Sequence, residues 1–213
     1  MNVETLVGQN WSAIRQAGRD FLSAAPPNAF EQAAKWYRHP AWEVRAFAQA
    51  ILGGLAGHDE RAATFLFEHC GADPAWQANE ALAMAFDDYC AALGYAQAIP
   101  LICEWLNAPH ANLRRAASEG LRPWTASKRA VFAQNPQLAI ELLGTLKDDP
   151  SRYVQESAGN ALRDISRKHA DLVIAALREW VAENSESKSR RVIAKFALKH
   201  MVRTDPSLSS LYE

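Results

Sequence analysis

Glu119, Arg122 and Trp124 stand close together in the stretch LRRAASEGLRPW (113–124), and two further acids, Asp88 and Asp164, share one repeat position with each other. Carboxylates of this kind can stabilise a developing positive charge and can orient or deprotonate a water. A nearby arginine can hold a phosphate, and an exposed indole can stack on a base or a sugar. An acid late in a helix meets the negative end of the helix dipole, an unfavourable placement worth roughly 0.3 kcal/mol or more. Residues that break a local rule often mark function. The same acids also read as ordinary helix-end carboxylates on a solvated face, and LRRAASEGLRPW as a helix that ends in a turn.

The elements that must position these residues are visible as a repeat. HPAWEVRAFAQAILGG (39), DPAWQANEALAMAFDD (73), APHANLRRAASEGLRP (108) and DPSRYVQESAGNALRD (149) each open on a proline followed by an alanine-rich helical stretch. The prolines, Pro40, Pro74, Pro109 and Pro150, are 34, 35 and 41 residues apart. Proline suits the first turn of a helix, where its missing N–H has no partner to lose. Four residues after it come Val44, Ala78, Leu113 and Val154, and eight after it Ala48, Leu82, Ala117 and Ala158. Those offsets fall on one face of a 3.6-residue helix. A further helical segment precedes each copy, a proline-free pair is expected at 170–184 and 187–202, and residues 1–27 are expected to cap the array. No stretch alternates with period 2. The pattern predicts an all-α fold, an α-solenoid of HEAT-like helical repeats with a concave binding groove, over one domain of residues 1–213. The repeats are expected near 28–54, 60–88, 96–124, 136–166 and 170–202.

Fourteen residues after the proline come Gly54, Asp88, Pro123 and Asp164, and Glu119 lies one helical turn before Pro123. Asp88, Glu119 and Asp164 are therefore expected to project into one groove. Basic residues flank them: Arg45, Arg114 and Arg115, then Arg152, Arg163, Arg167 and Lys168, then Arg190 and Arg191. At repeat spacing they could track a phosphate backbone, or they could be exposed helix charge. Residues 1–109 hold 6 Lys+Arg against 12 Asp+Glu, whereas residues 110–213 hold 17 against 12. That asymmetry fits a C-terminal half that meets an anion. Trp42 and Trp76 are expected to pack between repeats, and Trp11, Trp36, Trp105 and Trp180 to serve core or interface.

The three cysteines form no CxxC pair, no apolar run reaches membrane-span length, and the first residues lack a basic segment followed by an apolar one. Reduced thiols and a cytoplasmic location are expected. No zinc spacing, phosphate-binding glycine loop or Cys–His pairing occurs, and no His-Glu dipeptide supports an iron site.

NLRRAASEGLRPW together with LKDDPSRYVQESAGNALRDISRKHADLV resembles the HEAT-like-repeat DNA glycosylases of bacterial alkylation repair, the AlkC/AlkD-like family, and most of all its AlkC branch. The resemblance covers roughly residues 30–200. It implies excision of cationic N3- and N7-alkylpurines from double-stranded DNA by a monomer, with no metal or nucleotide cofactor. It also implies a lesion held against the groove without insertion into a deep pocket. Residue by residue, it matches Glu119, Arg122 and Trp124 to the family's acid, arginine and tryptophan, and Asp164 to the acid of N-x-L-x-D-I-S. A further acid falls at Asp88 or Asp87. An alkylated purine already carries positive charge and leaves readily, so a carboxylate need only support the oxocarbenium-like sugar and direct water. Here Pro123 and Trp124 are adjacent, where the family spaces them. The AlkC branch often adds a C-terminal β-sandwich, so in this chain the DNA grip is expected to come from the solenoid alone or to be weak. The competing expectation is a non-catalytic HEAT-repeat module that binds DNA structures or a protein partner.

Overall fold

The computed structural model describes residues 2–123 and 129–213, all helical or connecting segments with no strand among them. By backbone proximity they form two compact units, Met1–Ala98 and Ile99–Glu213, where the repeat pattern alone suggests one domain. Unit 1 contains α1 (Trp11–Ser23), α2 (Ala29–Trp36), α3 (Trp42–Leu55), α4 (Glu60–His69) and α5 (Trp76–Leu93). Unit 2 contains α6 (Ile99–Leu106), α7 (Ala111–Gly120), α8 (Pro136–Gly144), α9 (Arg152–Ser166), α10 (Ala170–Glu183) and α11 (Lys188–Leu198). Short helical turns complete the described chain.

The face predicted by the proline offsets is the buried one. Val44, Ala78, Leu113, Val154, Ala48, Leu82, Ala117 and Ala158 are all at most 1% exposed. Small residues bring the second helices of neighbouring repeats close. A Cβ on Gly53 would stand 2.6 Å from the Ala85 Cα and backbone oxygen, where α3 meets α5. A Cβ on Gly159 would stand 2.5 Å from Phe196 Cβ, where α9 meets α11.

One polar device recurs in both units. Arg45, on α3, donates to both carboxylate oxygens of Asp73 and to the His39 and Pro40 carbonyls. Arg114, on α7, donates in the same way to Asp149 and to the Ala108 and Pro109 carbonyls. Each aspartate also accepts from the backbone N–H two residues on, Ala75 or Ser151, and so supports the start of the next helix. Asn79 and Gln155, at equivalent positions, donate to the aspartate carbonyls. Arginine fits this role because its planar fork satisfies a carboxylate and two carbonyls at once.

Candidate functional site

In unit 2, Glu119 lies in the last turn of α7, Arg122 just beyond it, and Asp164 near the end of α9. Arg122 joins the two acids. Its Nε donates to Asp164 Oδ2 and its Nη1 to Glu119 Oε2, each at 2.7 Å. The Arg122 and Asp164 side chains are only 11% and 5% exposed. Ser157, one turn or so into α9, donates to Glu119 Oε1 at 2.7 Å. Its oxygen also lies 2.7 Å from Ser118 Oγ, which in turn lies 2.8 Å from the Arg115 carbonyl. Each hydroxyl has one proton, so Ser118 gives its own either to Ser157 or to that carbonyl. Both Glu119 oxygens are thereby engaged. Asp164 Oδ1 lies 3.7 Å from Arg167 Nε.

Asp164 lines a cleft of about 470 Å³ whose walls include Pro123, Phe132, Pro136 and Ile165. Arg122, Arg163, Arg167, Lys168 and His169 line it as well. Arg167 and Lys168 are exposed, and the buried Nε of Arg163 has no hydrogen-bond partner among the described residues. The arrangement is a low-dielectric carboxylate at the wall of a partly apolar cleft with a cationic edge. It suits an anionic ligand that carries an apolar or aromatic group. No group of three or more His, Cys, Asp or Glu side chains able to hold a metal occurs among the described residues. No described helix is long and apolar enough to cross a membrane.

Several basic residues singled out by spacing serve the fold instead. Arg114 is bound to Asp149, and Arg115 is buried, with its guanidinium 4.6 Å from the Tyr153 ring centre. Arg190 grips both oxygens of Asp148, at 2.8 and 2.6 Å, and also reaches Glu183. Spacing could not separate these from surface cations, because each stands at a helix position where only a neighbouring element decides its partner. Arg152 is exposed beside Glu156, and Arg191 donates to the Ser185 carbonyl.

Asp88 belongs to unit 1, on α5, where Arg15 holds it at 2.7 Å; burial pushes its carboxyl above the usual range while Arg15 pulls it down. Trp124 lies outside the described residues. Trp42 packs on Trp11 with ring centres 4.8 Å apart, and Trp105 and Trp180 are buried. Trp76 departs from the expected packing: it is 62% exposed, with no ring partner among the described residues. Cys70 and Cys90 are buried free thiols and Cys103 is half-buried. Ser157 and Ser118 carried no sequence signal, since a serine facing a helical partner looks like any small packing residue.

The crystal structure of AlkD2 from Streptococcus mutans superposes with a TM-score of 0.83 at 36% identity, over 92% of each chain. That of smu.31 from Streptococcus mutans UA159 gives 0.79 at 35% identity, over 88% of this chain and 92% of the other. The alkylpurine DNA glycosylase AlkC of Pseudomonas fluorescens, bound to DNA containing an abasic site analog, gives 0.66 at 22% identity. It is covered over 48% of its length, and the likeness is one of fold. Uncharacterized protein YhaZ of Bacillus subtilis (strain 168) is 30% identical over 109 residues, half of this chain. The match spans only 28% of that protein's length. The family model described as DNA alkylation repair enzyme matches residues 2–201, and the chain belongs to that family.

Proposed function

We propose that the chain is a DNA glycosylase that excises cationic N3- or N7-alkylpurines from duplex DNA, with Asp164 as the carboxylate that meets the reacting sugar. The observation that carries this reading is the state of Asp164. One oxygen is fixed by Arg122, and the residue lines a cleft edged by Arg167 and Lys168. The C1′–N bond breaks, its electron pair leaves with the purine, and the base departs neutral. Asp164 supports the cationic sugar, and the water that adds to C1′ releases one proton. Glu119 has both oxygens occupied, so it acts through Arg122 as a positioning residue. Arg163, Arg167 and Lys168 take the flanking phosphates.

The same cluster favours a second reading. Arg122 offsets both acids internally, which suits a module that binds DNA without turnover. Release of 3-methyladenine and 7-methylguanine from methylated duplex DNA separates the two. Wild type is expected to release at least one of them, Asp164→Asn to lose release while keeping DNA affinity, and Glu119→Gln to lose part of it. Duplex binding without release by wild type would leave the binding module standing and remove the catalytic reading.

A further inference from the structure

Unit 1 has an arginine–acid pair of its own. Arg15 and Asp88 are about one-third exposed, at 33% and 36%. Trp11, Arg15 and Arg19 follow one another at four-residue steps on α1, so they share a helix face. Together with Ser12 and Met84 they line an open cleft of about 300 Å³. Trp11 is braced by Trp42, which fixes the wall. Arg15 spends one Nη on Asp88, and Arg19 spends Nε and one Nη on Gln16. The remaining guanidinium N–H groups of both make no hydrogen bond among the described residues. The other arginines of this acidic half include Arg45 and Arg61, which are tied to Asp73 and to Asp59 and Glu31. Two guanidinium groups one turn apart, with spare donors over an indole and a thioether, match an oxyanion that has an apolar ring attached.

We propose that Arg15 and Arg19 hold a backbone phosphate of duplex DNA, with Trp11 and Met84 against the adjoining sugar, and that Asp88 orients Arg15 and takes no part in chemistry. This rests on the reading that the chain acts on DNA. Affinity for an undamaged duplex is measured by fluorescence anisotropy across a salt series for wild type, Arg15→Gln, Arg19→Gln, Arg15→Lys and Arg61→Gln. Arg15→Gln and Arg19→Gln are each expected to weaken binding about fivefold and to lower the salt slope by about 0.9. Arg15→Lys should keep the wild-type slope, and Arg61→Gln should change neither quantity. Inorganic phosphate at matched ionic strength should displace no duplex. Wild-type binding left unchanged by both glutamine variants overturns the assignment alone, and so does efficient displacement by inorganic phosphate, which would mark a free-anion site. A wild type that binds no duplex removes the DNA reading itself, and this proposal with it.

Discussion

Arg122 decides whether Glu119 and Asp164 can coexist in a dry place. Two carboxylates sharing one buried site repel, and the guanidinium between them supplies a hydrogen bond to each. Removing one partner of a buried pair strands the charge of the other, at a cost of about 3–5 kcal/mol. Arg122→Gln should therefore lower the unfolding free energy obtained from urea melts by that order. Adding Asp164→Asn should recover more than about 1 kcal/mol of the loss, because the double variant no longer strands the buried Asp164 charge. Strict additivity of the two losses would show that the pair does not interact. The Glu119–Arg122 half of this cluster is legible in the sequence, since residues three apart meet at a helix end. The Arg122–Asp164 half spans 42 residues and is legible only through the repeat register. That register also ranked Arg114 with the surface cations, because it gives a position on a helix and says nothing of the aspartate that arrives there from the next repeat.

The helices depend on close approach more than on propensity. Alanine in place of a helical glycine gains about 1 kcal/mol of intrinsic preference. At Gly159 the added carbon would meet Phe196 Cβ and the Ile193 carbonyl oxygen, at 2.5 and 2.8 Å, and at Gly53 it would meet backbone. Overpacking of this kind costs about 1–3 kcal/mol, and backbone cannot swing aside, so the clash wins. Gly159→Ala and Gly53→Ala should each lower the thermal midpoint; a rise at either position would refute the close packing. The α10–α11 connection carries a pH term. Arg190 holds Asp148 below the usual carboxylate range, and Lys147, with Arg190 second, does the same for Glu183. A depressed carboxylate stabilises the fold above its unfolded value, near 4, and that contribution is lost as pH falls through the lower folded value. Arg190→Gln should lower the midpoint at neutral pH and flatten its decline below about pH 4. The effect will be small, since Asp148 and Glu183 are largely solvated. An acid limb as steep as that of the wild type would show that these carboxylates are not perturbed.

Among the described residues, cations fall into two populations that the 17 Lys+Arg against 12 Asp+Glu of residues 110–213 cannot distinguish. Arg114, Arg115, Arg122 and Arg190 are buried or bound to acids. Arg167 and Lys168 stand exposed at the edge of the Asp164 cleft. A cation already matched by an internal carboxylate releases no counterion when DNA arrives, whereas an exposed one does. Replacing Arg167 and Lys168 together by glutamine should therefore weaken duplex binding more than tenfold and reduce the salt slope by about 1.8. Stability should change by less than about 0.5 kcal/mol, as for surface sites in general. Arg114→Gln should do the opposite: it leaves Asp149 buried and unpaired, so stability should fall by about 3 kcal/mol while the salt slope stays at the wild-type value. Anisotropy titrations at several salt concentrations, run beside urea melts on the same preparations, give both quantities for each variant. If Arg114→Gln changed the slope while the Arg167/Lys168 pair did not, DNA would be meeting the repeat staples, and the cleft edge would not be its contact.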